Sequence, residues 1–238
     1  MDIYGEAGII ITPTLDAALA LPGETVTYTL RVTNTGSETN TYDLELGEHL
    51  WETELVTTTL GPLLPDEGQD FTVRVRVPQD AAAGASDAVT VTVHSGTPGI
   101  LPVYASLTTT AGSVYGVGLA PSLSEGQSMP GGVVTHTLVL TNTGNTTDTF
   151  TIETSSDWPV TVSVPPGVTY QDGAVTLAGG QSTALFAQVA IPASPGSDES
   201  TASLVATSAS DPLVSEQASL KTRVILFQVH LPLVPAQE

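Results

Sequence analysis

The sequence predicts an all-β protein made of two tandem sandwiches of about seven strands each, and three observations carry that prediction. First, residues 25–36, T-V-T-Y-T-L-R-V-T-N-T-G, return as residues 133–144, V-V-T-H-T-L-V-L-T-N-T-G, with Asn34 and Asn142 placed 108 residues apart. That offset is close to the length of one immunoglobulin-like sandwich. Second, Val26, Tyr28, Leu30 and Val32 fall on one face of the stretch and Thr25, Thr27, Thr29, Arg31 and Thr33 on the other. This is the period of a half-buried strand. Third, turn residues recur at short, regular intervals, and no stripe of helical period stands between them.

Taken in order, residues 3–12, I-Y-G-E-A-G-I-I-I-T, read as an opening strand that Pro13 breaks. Leu21-Pro22-Gly23-Glu24 turns the chain into the long strand. Asn-Thr-Gly ends it, because Asn and Gly tolerate the left-handed backbone that reverses a chain. Thr41-Tyr42-Asp43-Leu44 then reads as its partner strand, as Thr149-Phe150-Thr151-Ile152 does in the second copy. Residues 55–60, the alternation Phe71, Val73, Val75, Val77 stopped by Pro78, the run Val89, Val91, Val93, and residues 103–110 complete the first unit. In the second, Pro130-Gly131 echoes Pro22-Gly23, Trp158 echoes Trp51, and Leu185, Ala187, Val189, Ile191 and Pro192 echo Phe71 to Pro78. Gly196, Ser197 and Asp198 are read as the counterparts of Gly84, Ser86 and Asp87. The predicted domains are residues 1–112 and 113–238, joined by the short hinge Ala111-Gly112-Ser113.

Charge narrows the partners. There are 25 acidic residues against five basic ones, for a net charge of −20, and both halves are acidic. Nucleic acid and anionic membrane surfaces are repelled by such a field. The chain has no cysteine, so disulfide and thiol chemistry are excluded. It has no apolar run long enough for a membrane-spanning helix. Residues 1–6 lack the basic and apolar regions of a signal peptide. The expectation is a chain that follows a cleaved leader or is part of a longer one, and its Thr-rich, Lys-poor, acidic tandem β composition points outside cells or to their surface.

The pattern P-G-x-x-V-T-Y-T-L-x-V-T-N-T-G, followed by T-Y-x-L, a Trp and F-T-V-x-V-x-V-P, resembles the Ig-like repeats of bacterial and archaeal surface proteins. Their relatives include the NEW3 domain found beside α-galactosidase and NPCBM modules, the CARDB family and DUF11-type repeats. The resemblance spans nearly the whole chain in two copies. It implies a sandwich fold in a spacer, an adhesin stalk or an accessory to a secreted enzyme. The second copy departs from the pattern in having His136 for Tyr28 and a longer stretch between Trp158 and Gln181.

Hydrolytic chemistry needs a nucleophile beside a base, and His49, His94, His136 and His230 are scattered over different elements. No enzymatic activity is expected. His136 falls at an inward position and reads as a packed histidine; His94 faces out. No cofactor is expected. Calcium is the one metal the acidic turns suggest, at Asp66-Glu67-Gly68-Gln69-Asp70, residues 45–48 and Asp198-Glu199, but none has the spacing of a calcium loop. Asp87 and Asp198, read as equivalent, would hold a structural calcium in both units or in neither. Trp51 and Trp158 read as core residues, or as a sugar-stacking platform if an indole face is exposed. Lys221 is the single lysine, so an isopeptide crosslink is available to the second unit alone. Asn145-Thr146-Thr147 is an N-glycosylation sequon.

The closing segment, residues 224–234, V-I-L-F-Q-V-H-L-P-L-V, is more apolar than a last strand requires. Greasy strands with free backbone groups seek a sheet edge. Ile225, Phe227, Val229, Leu231 and Leu233, with Ile9, Ile10 and Ile11 near the other end, are the candidate strand-addition residues. Their expected partner is a second copy or a neighbouring surface-protein domain. The sequence thus leads to a non-enzymatic extracellular structural protein, a stalk or self-assembling filament. The alternative is a carbohydrate-binding or spacer accessory module of a secreted hydrolase.

Overall fold

The computed structural model describes residues 8–225, which divide between two compact units, Met1–Val114 and Tyr115–Glu238. The first contains β1 (Ile9–Thr12), β2 (Leu15–Ala20), β3 (Thr25–Asn34), β4 (Asn40–Leu46), β5 (Glu52–Leu55), β6 (Thr59–Leu63), β7 (Gly68–Arg76), β8 (Ser86–Ser95) and β9 (Val103–Ala111). One sheet has the order β1-β3-β7-β5 and the other β2-β9-β8-β4-β6. All pairings are antiparallel except that of β2 with β9.

The second unit contains β10 (Val117–Ala120), β11 (Leu123–Ser128), β12 (Val133–Asn142), β13 (Asp148–Ser155), β14 (Val160–Ser163), β15 (Tyr170–Gln171), β16 (Ala174–Leu177), β17 (Ser182–Ala190), β18 (Glu199–Ser208) and β19 (Ser215–Val224). Its sheets run β10-β12-β17-β14 and β11-β19-β18-β13-β16-β15, with β11 parallel to β19. The topology of the first unit is repeated strand for strand. The addition is β15, which uses the longer stretch between Trp158 and Gln181.

The period-two reading holds at the centre of each unit. Tyr28, Leu30 and Val32 of β3 are buried against Phe71, Val73 and Val75 of β7 and Val89, Val91 and Val93 of β8. Thr25, Thr27, Thr29 and Arg31 face out. In the second unit Leu138, Leu140, Phe150, Leu185, Leu204 and Leu220 form the matching core. Burial of one such side chain contributes about 1.5–3 kcal/mol, so each centre is a principal source of stability. At the entry to β3 and β12, Gly23 (φ +85°) and Gly131 (φ +77°) hold the left-handed turn that a Cβ would strain.

Five expectations are corrected. The opening strand is two: Pro13 has no amide hydrogen to give a ladder, and the chain switches sheets there, so β1 pairs with β3 and β2 with β9. This split, with the short strands β5 and β6 replacing one strand over residues 55–60, raises the count above seven per unit. β4 is not the partner of β3; it lies in the opposite sheet beside β6 and β8. The Asn-Thr-Gly segment is therefore a crossover between sheets, and neither Asn34 nor Gly36 is among the residues with positive φ. Finally, Asp87 corresponds to Ser200 rather than Asp198, since Asp87 faces Thr109 and Ser200 faces Thr222 at the same rung of the ladder.

Candidate functional site

Three buried polar nodes recur in the two units, each closed on itself. The first is the asparagine that ends β3 and β12. Asn34 is buried, and its Nδ2 donates to the carbonyls of Glu38 (2.8 Å) and Leu63 (2.9 Å) while Oδ1 accepts from the Gly36 amide (3.0 Å). Asn142 does the same with Thr146 (2.8 Å), Leu177 (2.9 Å) and Gly144 (2.9 Å). Each amide ties a strand of one sheet to β6 or β16 of the other and holds the crossover loop. The signal was available, because Asn34 continues the inward phase of Val26 to Val32, and a buried amide must find partners.

The second node pairs Asn40 with Asp148. Asn40 donates to Ser95 Oγ (2.7 Å) and accepts from the Thr41 amide (2.9 Å) and Thr97 Oγ1 (3.2 Å). In the second unit the direction reverses: Ser208 donates to Asp148 Oδ2, while the Ser210 hydroxyl (2.8 Å) and Thr149 amide (2.8 Å) donate to Oδ1. Burial pushes the Asp148 carboxyl up, but these hydrogen bonds outweigh it and hold the group below the ordinary carboxylate range.

The third node joins the sheets at Tyr28 and His136. Tyr28 Oη donates to the Thr108 carbonyl (2.8 Å) and meets Thr109 Oγ1 at 2.8 Å. At the equivalent place, His136 sits between Ser124 Oγ on Nδ1 (2.9 Å) and Thr222 Oγ1 on Nε2 (2.9 Å), and is 1% exposed. Burial lowers the imidazole's pKa, so the ring is neutral, donating from one nitrogen and accepting at the other. His136 is thus a core residue.

Tyr42 supplies an internal comparison. Its ring is fully buried and its hydroxyl, beside Asn40, has no hydrogen-bond partner. The second unit has Phe150 there. Tyr42→Phe is expected to stabilise the first unit by about 1 kcal/mol, read from urea denaturation, since it removes an unsatisfied hydroxyl and keeps the ring.

The remaining candidates have structural partners. Trp51 and Trp158 are 9% and 5% exposed, so neither offers an indole face for sugar stacking. The Leu50 and Trp51 amides donate to Asp87 Oδ2 (2.9 and 2.8 Å), which places that carboxylate at a loop anchor rather than a calcium site. His49 Nδ1 lies 2.9 Å from the Gly47 carbonyl, and His94 lies 3.5 Å from Glu45 on the surface. Among the described residues, no group of three His, Cys, Asp or Glu side chains could hold a metal, and no helix is long and apolar enough to cross a membrane. Lys221 pairs with Glu199 (3.2 Å) and is partly exposed, not the buried lysine an isopeptide bond needs.

All five cations are paired with acids. On the outer face of the first unit, Arg31–Asp70 (2.7 Å), Arg74–Glu54 (3.4 Å) and Arg76–Glu52 (3.7 Å) lie directly across neighbouring strands. Arg223 reaches Glu199 (3.4 Å) and Glu125 (3.7 Å). Exposed pairs of this kind contribute about 0–1 kcal/mol each, and the rest of the surface keeps its negative field.

Of the strand-addition candidates, Ile9, Ile10 and Ile11 lie in β1 and pair with Asn34, Thr33 and Val32. Ile11 is buried and Ile10 half exposed, and β1 stands at the margin of its sheet. The Ile225 amide donates to the Ser128 carbonyl (2.8 Å) at the end of β11. Phe227, Val229, Leu231 and Leu233 lie outside the described residues, as does His230.

The fold and these closed nodes define a class: tandem β-sandwich modules whose interior polar groups serve architecture. Residues 20–95 match the family model described as NPCBM-associated, NEW3 domain of alpha-galactosidase, an accessory rather than a catalytic domain. The match runs from the last residue of β2 to the last of β8 and bears out the NEW3-like resemblance in the first unit. No curated protein matches the chain in sequence. Similar solved structures include a family 123 glycoside hydrolase from Clostridium perfringens, with 9% identity over 48% of this chain and a TM-score of 0.38. The chain spans 28% of that hydrolase's length. Extracellular cadherin domains 1–4 of protocadherin gamma B7 align over 92% of this chain and 51% of theirs, with 9% identity and a TM-score of 0.42. The Pseudomonas aeruginosa CupB2 chaperone aligns over 91% of this chain and all of its own, with 10% identity and a TM-score of 0.34. Likenesses this loose carry no functional argument.

Proposed function

We propose that the chain is a non-catalytic spacer or accessory module of a secreted, glycan-processing protein. The observation that carries this reading is the NEW3 match over residues 20–95, since that family is an accessory domain tied by its description to alpha-galactosidase. The duplicated frame and self-satisfied polar nodes support it, because they place the chain's polar chemistry in holding sheets together. The burial of Trp51 and Trp158 favours spacing over sugar stacking. An extracellular stalk is the same physical role, exercised at a cell surface.

The purified chain is expected to release nothing from aryl α- and β-galactosides and to migrate unretarded in affinity gels loaded with soluble polysaccharides. Saturable retardation would replace the spacer role with carbohydrate binding. Turnover abolished by a point substitution would overturn the reading altogether.

A further inference from the structure

The first unit differs from the second at one sheet margin. Leu15, Ala17 and Leu19 of β2 face outward, with Leu15 76% and Leu19 70% exposed. Their counterparts in β11 are Leu123, Glu125 and Gln127, the correspondence being set by Leu15 facing Ser106 and Leu123 facing Ser219. Marginal strands are ordinarily blunted by charge, proline or shortness. Here β5 carries Glu52 and Glu54, β6 contains Pro62, β11 carries Glu125, and β1, β10, β14 and β15 have four residues or fewer. β2 and β11 both have six residues and one charge, but Glu125 lies between Leu123 and Gln127 on the outward row of β11, whereas the outward row of β2 is Leu15, Ala17 and Leu19 and Asp16 falls out of phase with it.

The chain itself holds a segment that suits this margin. Residues 226–234, L-F-Q-V-H-L-P-L-V, alternate Phe227, Val229, Leu231 and Leu233 with Gln228, His230 and Pro232, and contain no acid. In a chain of net charge −20, an acidic strand approaching a second copy is repelled, whereas an uncharged one is not. We infer that residues 226–231 of one copy add as a strand to β2 of another copy, covering Leu15 and Leu19. Pro232, which has no amide hydrogen to donate, ends the ladder. This goes beyond the accessory role and does not depend on it.

The absence of cysteine makes disulfide trapping clean. Full-length Ala17→Cys and Val229→Cys proteins, each verified as folded by circular dichroism, are mixed in glutathione redox buffer. The mixed dimer is expected in about tenfold excess over that of Val229→Cys with Leu213→Cys, an exposed control position. Adding Leu19→Lys to the Ala17→Cys partner should remove the excess. No excess over the control overturns the inference. So does a predominance of Ala17→Cys homodimers, which would mean that β2 pairs with itself. A monomeric closed ring from the doubly substituted chain also overturns it, since the segment would then dock on its own copy.

Discussion

Asn142→Leu is expected to cost the second unit about 3–5 kcal/mol, the largest effect of any single surface-distant substitution short of emptying the core. The change strands the carbonyls of Thr146 and Leu177 and the amide of Gly144, all of which the amide side chain now satisfies. It also unties β12 from β16 of the opposite sheet. Urea denaturation followed by Trp158 fluorescence reads the loss in its own unit, while Trp51 should report an unchanged first unit. Asn142→Asp keeps the shape and the acceptor but not the two donors, and should be nearly as costly. A cost below about 1 kcal/mol for both would show that the loop finds other partners. Asn34 makes the same set of bonds, so Asn34→Leu should transfer the effect to the first unit.

Acidification should weaken the second unit well before the first. His136 is neutral in the fold with its pKa below the ordinary value, so the unfolded chain binds the extra proton. Stability from this group is complete above about pH 6.5 and is lost as pH falls below it, at up to ~1.4 kcal/mol per pH unit until the folded pKa is reached. Asp148, held below its ordinary range, adds a second loss as pH falls through about 3.8. At the same places the first unit has Tyr28 and Asn40, which stay neutral throughout this range. Denaturation midpoints measured by Trp158 at pH 7 and pH 5 should diverge, and His136→Gln should remove most of the difference. Equal acid sensitivity in wild type and variant would assign it to the surface carboxylates instead.

The strands with a buried and a solvated face were legible because alternation records which side meets water. Residues 25–34 and 133–142 show this, and the duplication confirmed the phase. β2 escapes that reading for the opposite reason: L-D-A-A-L-A puts both leucines and Ala17 in solvent and turns Ala18 and Ala20 inward, so the usual contrast is inverted. The Asn-Thr-Gly segments were seen but given the wrong task. Turn chemistry was read from residue type, whereas the inward phase of Asn34 marked it as a buried bonding group. Asp87 and Ser200 could not be matched by loop similarity, since their equivalence lies in ladder register. Thr109 against Tyr28 and Thr222 against His136, 81 and 86 residues away along the chain, leave no local trace.

The parallel pairing of β2 with β9, six residue pairs from Leu15–Ser106 to Ala20–Ala111, sets the second strand of the first unit beside its last. The same arrangement joins β11 to β19. Tension carried by such a pair pulls its strands past one another, so every rung bears load together instead of tearing one after the next. Rupture of such a pair then waits on a rare concerted event set by the unfolding rate, not on the loss of one rung at a time.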